Sequence, residues 1–90
     1  MTITVSIPTI MLPLTGGLSK VTAAGSSVLE IIDDLDGRYP GIRDRVLAQG
    51  KIHRFMNVYV NDEDIRFDDG LKTEVHQGDC LTLLSAVAGG

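Results

Sequence analysis

The sequence has 90 residues, 43% of them hydrophobic, which predicts one small domain with a single core. Twelve acidic and eight scattered basic residues give a formal net charge of −4. This charge disfavours nucleic acid and anionic membranes as partners and favours a protein with a basic face. The single cysteine, Cys80, excludes an internal disulfide and a four-cysteine iron–sulfur cluster. With no signal-peptide pattern and no apolar run of membrane-spanning length, we expect a cytoplasmic protein.

The first 24 residues have the signals of two strands. Apolar and polar residues alternate from Thr2 to Ile10, which is the period of a half-buried strand. Thr-Gly-Gly at 15–17 provides the turn chemistry of a hairpin. We therefore expect residues 18–23 to return as a second strand.

A single amphipathic helix is predicted next. Ser27 and Glu30 have the spacing of a capping box at a helix start. Apolar residues then recur at helical spacing on one side: Val28, Ile31, Ile32 and Leu35. We expect the helix to end at Gly37, before Tyr39-Pro40-Gly41, and residues 42–48 to add a short helical turn.

The second half of the chain predicts further strands joined by turns. Residues 55–60 carry apolar side chains on both faces, which favours a strand in the middle of the sheet. Residues 61–64 predict a turn, and residues 65–67 a short edge strand. Residues 80–84 form the last predicted strand.

No residues have the spacing of a catalytic or metal site. His53, His76 and Cys80 lack the closely spaced ligand pair typical of zinc sites. No serine-hydrolase motif is present, and no carboxylates are paired at an obvious site. We therefore expect that the chain is not an enzyme and binds no metal or cofactor of its own.

The C-terminal residues point most directly to a chemistry. Residues 86–90 are small and finish on a glycine pair: Ala86, Val87, Ala88, Gly89 and Gly90. Glycine has no Cβ, so such a tail can enter a channel where a larger side chain would clash. We predict a domain at residues 1–85 and a flexible tail at 86–90, with the α-carboxyl of Gly90 as the reactive group.

The order of elements predicts an α+β fold of the β-grasp type: a mixed, curled sheet of about five strands around one main helix. In that fold the two end strands lie side by side in the middle of the sheet. The predicted core comprises Val5, Ile7, Val28, Ile31, Ile32, Leu35, Val58, Val60, Leu81 and Leu83.

Across nearly its whole length the chain resembles the MoaD/ThiS-type sulfur carriers, which are ubiquitin-like β-grasp proteins. The resemblance rests on residues 4–9 (TVSIPT), 53–55 (HRF), 58–64 (VYVNDED), Arg66, Gly70-Leu71, Gly78-Asp79 and 86–90 (AVAGG). Ser85 is a departure, because such carriers commonly have proline just before the tail. The entry to the tail is then expected to be less rigid.

The resemblance implies that Gly90 is adenylated by a ubiquitin-activating-type enzyme that uses ATP and magnesium. A sulfur donor then converts Gly90 to a thiocarboxylate, which supplies sulfur to an enzyme making cysteine, a thio-sugar or another sulfur metabolite. Residues 86–89 are expected to bind the partner enzymes. A tail-processing protease is a further implied partner.

Two other functions stay open from the sequence. The first is a ubiquitin-like modifier, in which a lysine amine captures the activated Gly90. The second is a structural interaction domain that makes no use of its terminus.

The docking surface is predicted on the outer face of the sheet near the tail, through Phe55, Met56 and Tyr59. Exposed apolar side chains with polar neighbours often mark contact sites.

Overall fold

The computed structural model describes residues 2–85. The strands are β1 (Thr2–Ser6), β2 (Lys20–Ala24), β3 (Leu47–Ala48), β4 (Lys51–Ile52), β5 (Met56–Val60), β6 (Glu63–Asp64) and β7 (Cys80–Ser85). The α-helices are α1 (Val28–Arg38) and α2 (Ile42–Val46), and short 3-10 helices span Thr9–Thr15, Ile65–Phe67 and Gly70–Lys72.

Five strands form one mixed sheet in the order β2-β1-β7-β5-β6, while β3 and β4 pair separately. β1 and β7 run parallel, with Val5 opposite Leu81, and the other pairs in the sheet are antiparallel. The two end strands therefore lie side by side at the centre. This arrangement confirms the predicted β-grasp fold and its α+β class.

The core lies between one face of this sheet and α1. All four residues of the predicted helical stripe, Val28, Ile31, Ile32 and Leu35, are fully buried. The predicted sheet residues Val5, Ile7, Val58, Leu81 and Leu83 are also buried, whereas Val60 is partly buried at the edge of the core. Nine of the ten residues predicted for the core are therefore buried.

Local hydrogen bonds at the start of α1 confirm the predicted cap in a modified form. The Glu30 amide donates to Ser27 Oγ at 3.3 Å. The Glu30 carboxylate accepts from the amide of Ser26 at 3.1 Å, one residue earlier than in the standard capping box. The helix begins where predicted, and a second serine shares the capping.

α1 ends one residue later than predicted. Gly37 lies inside the helix, and the amide of Tyr39 still donates to the Leu35 carbonyl at 2.7 Å. The chain turns away at Gly41, whose φ of 105° is left-handed. Pro40 ends the helix, because the residue before a proline is disfavoured in helical conformation.

The structure differs most from the predicted strands at two places. β1 ends at Ser6 instead of Ile10, because the 3-10 helix Thr9–Thr15 follows Pro8, whose carbonyl accepts from the Met11 amide at 2.9 Å. Residues 65–67 form a 3-10 helix because the Asp64 carboxylate accepts from the Arg66 amide at 2.9 Å. The edge strand is β6 instead.

Candidate functional site

β7 carries the chain to the point where the predicted tail begins. Its last residue, Ser85, lies opposite Met56 at the start of β5, so the chain leaves the sheet beside the connection from β4 to β5. The predicted reactive residue, Gly90, and the predicted partner-binding residues 86–89 lie outside the described residues. The structure therefore describes the surface around the tail's exit.

The structure separates the three residues predicted for docking. Phe55 is exposed at 43% and Tyr59 is half-buried on the outer face of the sheet. Met56 is only 5% exposed, so its assignment to an outer docking surface was wrong. The reason is strand periodicity, because Met56 and Val58 share the face that packs on the core.

Two exposed apolar residues beside Ser85 were missed by the sequence analysis. Ile10 is 52% exposed and Leu84 is 45% exposed. Leu84 could have been predicted from the sequence. Adjacent residues of a strand point to opposite faces, so only one of the two leucines can face the core, and Leu83 does so. Ile10 carried no such signal, because its position depends on the 3-10 helix that was predicted as strand.

The exposed apolar residues around Ser85 border two shallow grooves. One, of about 210 Å³, is lined by Ile10, Met11, Asp44, Arg45, His53, Phe55, Met56 and Ser85. The other, of about 260 Å³, is lined by Ile7, Pro8, Thr9, Ile10, Leu84 and Ser85. Because both grooves include Ile10 and Ser85, they meet where β7 ends. We call the surface formed by Ile10, Phe55, Leu84 and Ser85 the exit surface.

Neighbouring side chains hold Phe55 in place within the exit surface. Its amide donates to His53 Nδ1 at 3.2 Å, and the two rings are 5.5 Å apart. The Arg54 guanidinium lies over the Phe55 ring, 4.8 Å from its centroid. Such a cation–π contact orders an exposed ring and places a positive charge beside it.

A polar network organises the opposite end of β7. Asn61 Nδ2 donates to the Asp79 carboxylate at 2.9 Å, and Asn61 Oδ1 accepts from the Cys80 amide at 3.0 Å. The His76 amide donates to the same carboxylate at 2.8 Å. These hydrogen bonds, that of Asn61 above all, hold the pKa of Asp79 below its usual value.

The histidines and the cysteine do not converge on one site. His53 lies near the tail's exit, whereas His76 and the exposed Cys80 lie at the start of β7. Within residues 2–85, no three His, Cys, Asp or Glu side chains are placed to hold a metal ion. In the same part of the chain, no helix is long and apolar enough to span a membrane.

A β-grasp sheet whose last strand leads into a small-residue tail defines the class of ubiquitin-like proteins. The chain belongs to the ThiS family, whose model matches residues 5–90. Individual proteins that are similar in sequence and in structure identify the kind of ThiS-family protein more closely.

By sequence, the chain is 52% identical to the sulfur carrier protein CysO of Mycobacterium tuberculosis over 93 aligned positions, covering 100% of both chains. By structure, it is similar to CysO in the crystal structure of the Amycolatopsis orientalis BexX/CysO complex, with a TM-score of 0.94 and 59% identity. That match covers 98% of this chain and 99% of the other.

More distant proteins share the fold. The small archaeal modifier protein SAMP1 of Haloferax volcanii has a TM-score of 0.81 at 23% identity, covering 100% of both chains. At this identity the likeness shows the fold alone. The family and the full-length identity to CysO make the chain a sulfur carrier protein, a class of small carriers that are not catalysts.

Proposed function

We propose that this carrier holds sulfur as a thiocarboxylate on Gly90. The observation that supports this most is the full-length identity of 52% to CysO, together with a family match that runs through Gly90. The described structure is consistent with it, because β7 ends at Ser85 beside an exposed apolar surface. The docking body and the reactive carboxyl are then separated by residues 86–89.

The chemistry of the carboxyl explains why activation is needed. An α-carboxyl has a pKa near 3.5, so at pH 7 it is an anion and a poor electrophile. In the proposed reaction a carboxylate oxygen of Gly90 attacks the α-phosphorus of ATP, and pyrophosphate leaves. A sulfide donor then attacks the acyl carbon, and AMP leaves with the bonding electrons. The ATP and magnesium belong to the activating enzyme.

The length of the tail is matched to a buried active site. Five residues span at most roughly 18 Å when fully extended. The folded body can therefore remain outside a partner while the terminal sulfur enters it. The methyl side chains of Ala86 and Ala88, and the lack of a Cβ at Gly89, let the tail pass through a narrow channel.

We propose two enzyme partners in the cytoplasm, a ubiquitin-activating-type adenylyltransferase and a biosynthetic enzyme that accepts the sulfur. A relative 59% identical to this chain was crystallised with BexX, which supports a second partner that binds the folded carrier. The product is cysteine, a thio-sugar or another sulfur metabolite. A protease that exposes Gly90 is a further proposed partner if residues follow it.

Protein modification is the second candidate function. It is favoured by the similarity to small archaeal modifier protein 3 of Haloferax volcanii, which is 28% identical over 65 residues covering 72% of this chain. Both functions begin with adenylation of Gly90, and they differ in the nucleophile that follows. The lower identity and the partial coverage make it less supported than sulfur transfer.

Mass spectrometry tests the proposal directly. The chain is incubated with the activating enzyme of its own source, ATP and sulfide, and we expect a gain of about 16 Da as sulfur replaces oxygen. Deletion of Gly90 and Gly89→Val should each abolish this gain, because small misplacements of a reacting group cost on the order of a hundredfold in rate.

A Cys80→Ser variant is the matched control and should gain sulfur normally. If the chain lacking Gly90 still gains sulfur, or if the gain is lost in Cys80→Ser, the Gly90 thiocarboxylate is ruled out. A lysine-linked conjugate in place of the gain would favour protein modification.

A further inference from the structure

Charge is distributed unevenly between the two segments that flank β5. The segment that precedes β5, residues 43–54, contains four basic residues and one acidic residue. The segment that follows β5, residues 62–69, contains five acidic residues and one basic residue. Because Ser85 pairs with Met56 at the start of β5, the chain leaves the sheet at the basic end. The charge at the end where the chain leaves the sheet thus differs in sign from the net charge of −4.

Two arginines at this end make no ion pair within residues 2–85. Arg43 is paired with Asp33, Arg38 with Asp34 and Arg66 with Asp64. Arg45 and Arg54 have no such partner, and both are exposed.

The unpaired arginines lie beside the exit surface. Arg45 lines the groove that contains Ile10, Phe55 and Ser85, and Arg54 lies over Phe55. One carboxylate, that of Asp44, also lines this groove. The exit surface is therefore apolar at its centre and has two available guanidinium groups at its rim.

We infer that Arg45 and Arg54 bind acidic side chains of the activating enzyme, beside the channel that takes up the tail. This inference rests on the proposed function and adds the chemistry of the partner surface. Apolar side chains of the enzyme would cover Ile10 and Phe55, while its Asp or Glu carboxylates would pair with the two guanidinium groups. Guanidinium–carboxylate pairs at the rim of an interface mainly raise the rate of encounter and select its orientation.

The charge pattern favours an acidic protein over other anions. Nucleic acid and anionic membranes present extended arrays of negative charge, which the acidic segment 62–69 and the net charge of −4 would repel. An acidic patch on a protein is small enough to meet two arginines alone. It also uses the apolar residues between them, for which a phosphate backbone has no counterpart.

Charge reversal with a matched control tests this inference. The double variant Arg45→Glu/Arg54→Glu removes both guanidinium groups, and Lys20→Glu/Lys72→Glu makes the same change in net charge at two other exposed sites. Each full-length chain is labelled at Cys80, which lies five residues along β7 from Ser85, roughly 17 Å away. Binding to the activating enzyme is measured by fluorescence anisotropy without ATP.

We expect the arginine variant to raise the Kd roughly tenfold or more at about 50 mM salt. The lysine variant should change it less than about threefold. At about 500 mM salt the difference between the variants should shrink, because exposed charges are then screened within a few ångströms. A thermal unfolding curve for each variant establishes that it is folded.

Equal losses of affinity in the two variants would overturn the inference, because net charge alone would explain them. An unchanged Kd for the arginine variant, or no binding by the unaltered chain, would overturn it as well. Because binding is measured without sulfur transfer, it is separable from the proposed function. A chain that binds through the two arginines yet never gains sulfur leaves this surface in place and rejects the thiocarboxylate.

Discussion

Asp79 connects the turn at 76–79 to the sheet through its side chain. Its carboxylate accepts from Asn61 Nδ2 and from the His76 amide, at 2.9 and 2.8 Å. Asn61 in turn accepts from the Cys80 amide. One carboxylate thereby fixes the loop between β5 and β6 against the start of β7.

This geometry predicts a loss of stability in acid. The pKa of Asp79 is lowered in the folded state, chiefly by the Asn61 hydrogen bond, so the unfolded chain binds this proton more tightly. The stabilisation is present above the ordinary carboxyl pKa of about 3.9 and is lost as pH falls through the lower folded value. We expect the melting temperature of Asp79→Asn to fall less steeply below about pH 4 than that of the unaltered chain. Parallel curves for the two chains would show that Asp79 contributes nothing to the acid response.

Ile32 tests the core at the level of one side chain. It is fully buried on the face of α1 that meets the sheet. Ile32→Ala should destabilise the fold by about 2 to 5 kcal/mol, because it removes buried apolar contacts and leaves a cavity. Urea unfolding measures this change, and Leu29→Ala, at a half-buried position on the same helix, is the control with a smaller expected loss. A loss under about 1 kcal/mol at Ile32 would mean that this helix face is not the core face.

Among the elements, α1 was predicted best because its signals are local. A capping pair, a stripe at helical spacing and Pro40 lie within fifteen residues and act independently of the rest of the fold. The strand ends were predicted less well. Whether alternating residues after Ser6 stay in the sheet depends on a partner strand, and the register of β1 with β2 ends at Ser6 and Lys20.

The position of the short edge strand, β6, depends on the backbone geometry of the turn before it. Asn61 and Asp62 both have positive φ, 50° and 73°, which makes a tight turn and pairs Glu63 with Val60. Ile65-Arg66-Phe67 has the composition of a strand, yet the Asp64 cap turns it into a 3-10 helix. Composition did not reveal this, because the decisive contact is one side-chain hydrogen bond.

Two glycines, one before α1 and one inside it, are predicted to change stability in opposite directions when replaced by alanine. A Cβ at Gly25 would lie 2.8 Å from Glu30 Cβ and 3.1 Å from the Glu30 carbonyl carbon. Gly25→Ala should therefore destabilise by about 1 to 3 kcal/mol, because the helix start must move. Gly37 lies inside α1, where an added Cβ would meet nothing within 4 Å, so Gly37→Ala should stabilise by about 0.5 to 1 kcal/mol. Chemical denaturation of both variants checks the pair, and a shared sign would contradict this account of the two glycines.

For the whole molecule, sequence reasoning predicted the fold and the carrier class but not the surface at the end of β7. The strand order placed the outer sheet face near the tail, and the family match supports the carrier function. The exit surface could not be predicted from the sequence. Ile10 and Phe55 come close to Ser85 only through the path of a 3-10 helix and the connection from β4 to β5. Likewise, a net charge of −4 favoured a basic partner, whereas the charge near Ser85 suggests an acidic one.

Two truncations separate the body from the tail. A chain lacking residues 86–90 should unfold within about 0.5 kcal/mol of the full chain, because terminal residues generally contribute little to stability. A chain lacking residues 80–90 should show no cooperative thermal transition, because it loses β7 and with it the buried Leu81 and Leu83. Circular dichroism on heating distinguishes the two. Cooperative melting of the shorter chain would show that the sheet is stable without its central strand.

The pairing of β1 with β7 links folding to the quality of the carrier. Thr4 lies opposite Cys80, so two segments far apart in the sequence must meet before the centre of the sheet closes. A molecule in which β1 and β7 have not paired lacks one of the two strands that hold β7 in place. The exit surface at the end of β7 is then not formed. An activating enzyme that requires the exit surface would therefore adenylate only molecules in which this strand pair has formed. The adenylation step would then select folded carriers.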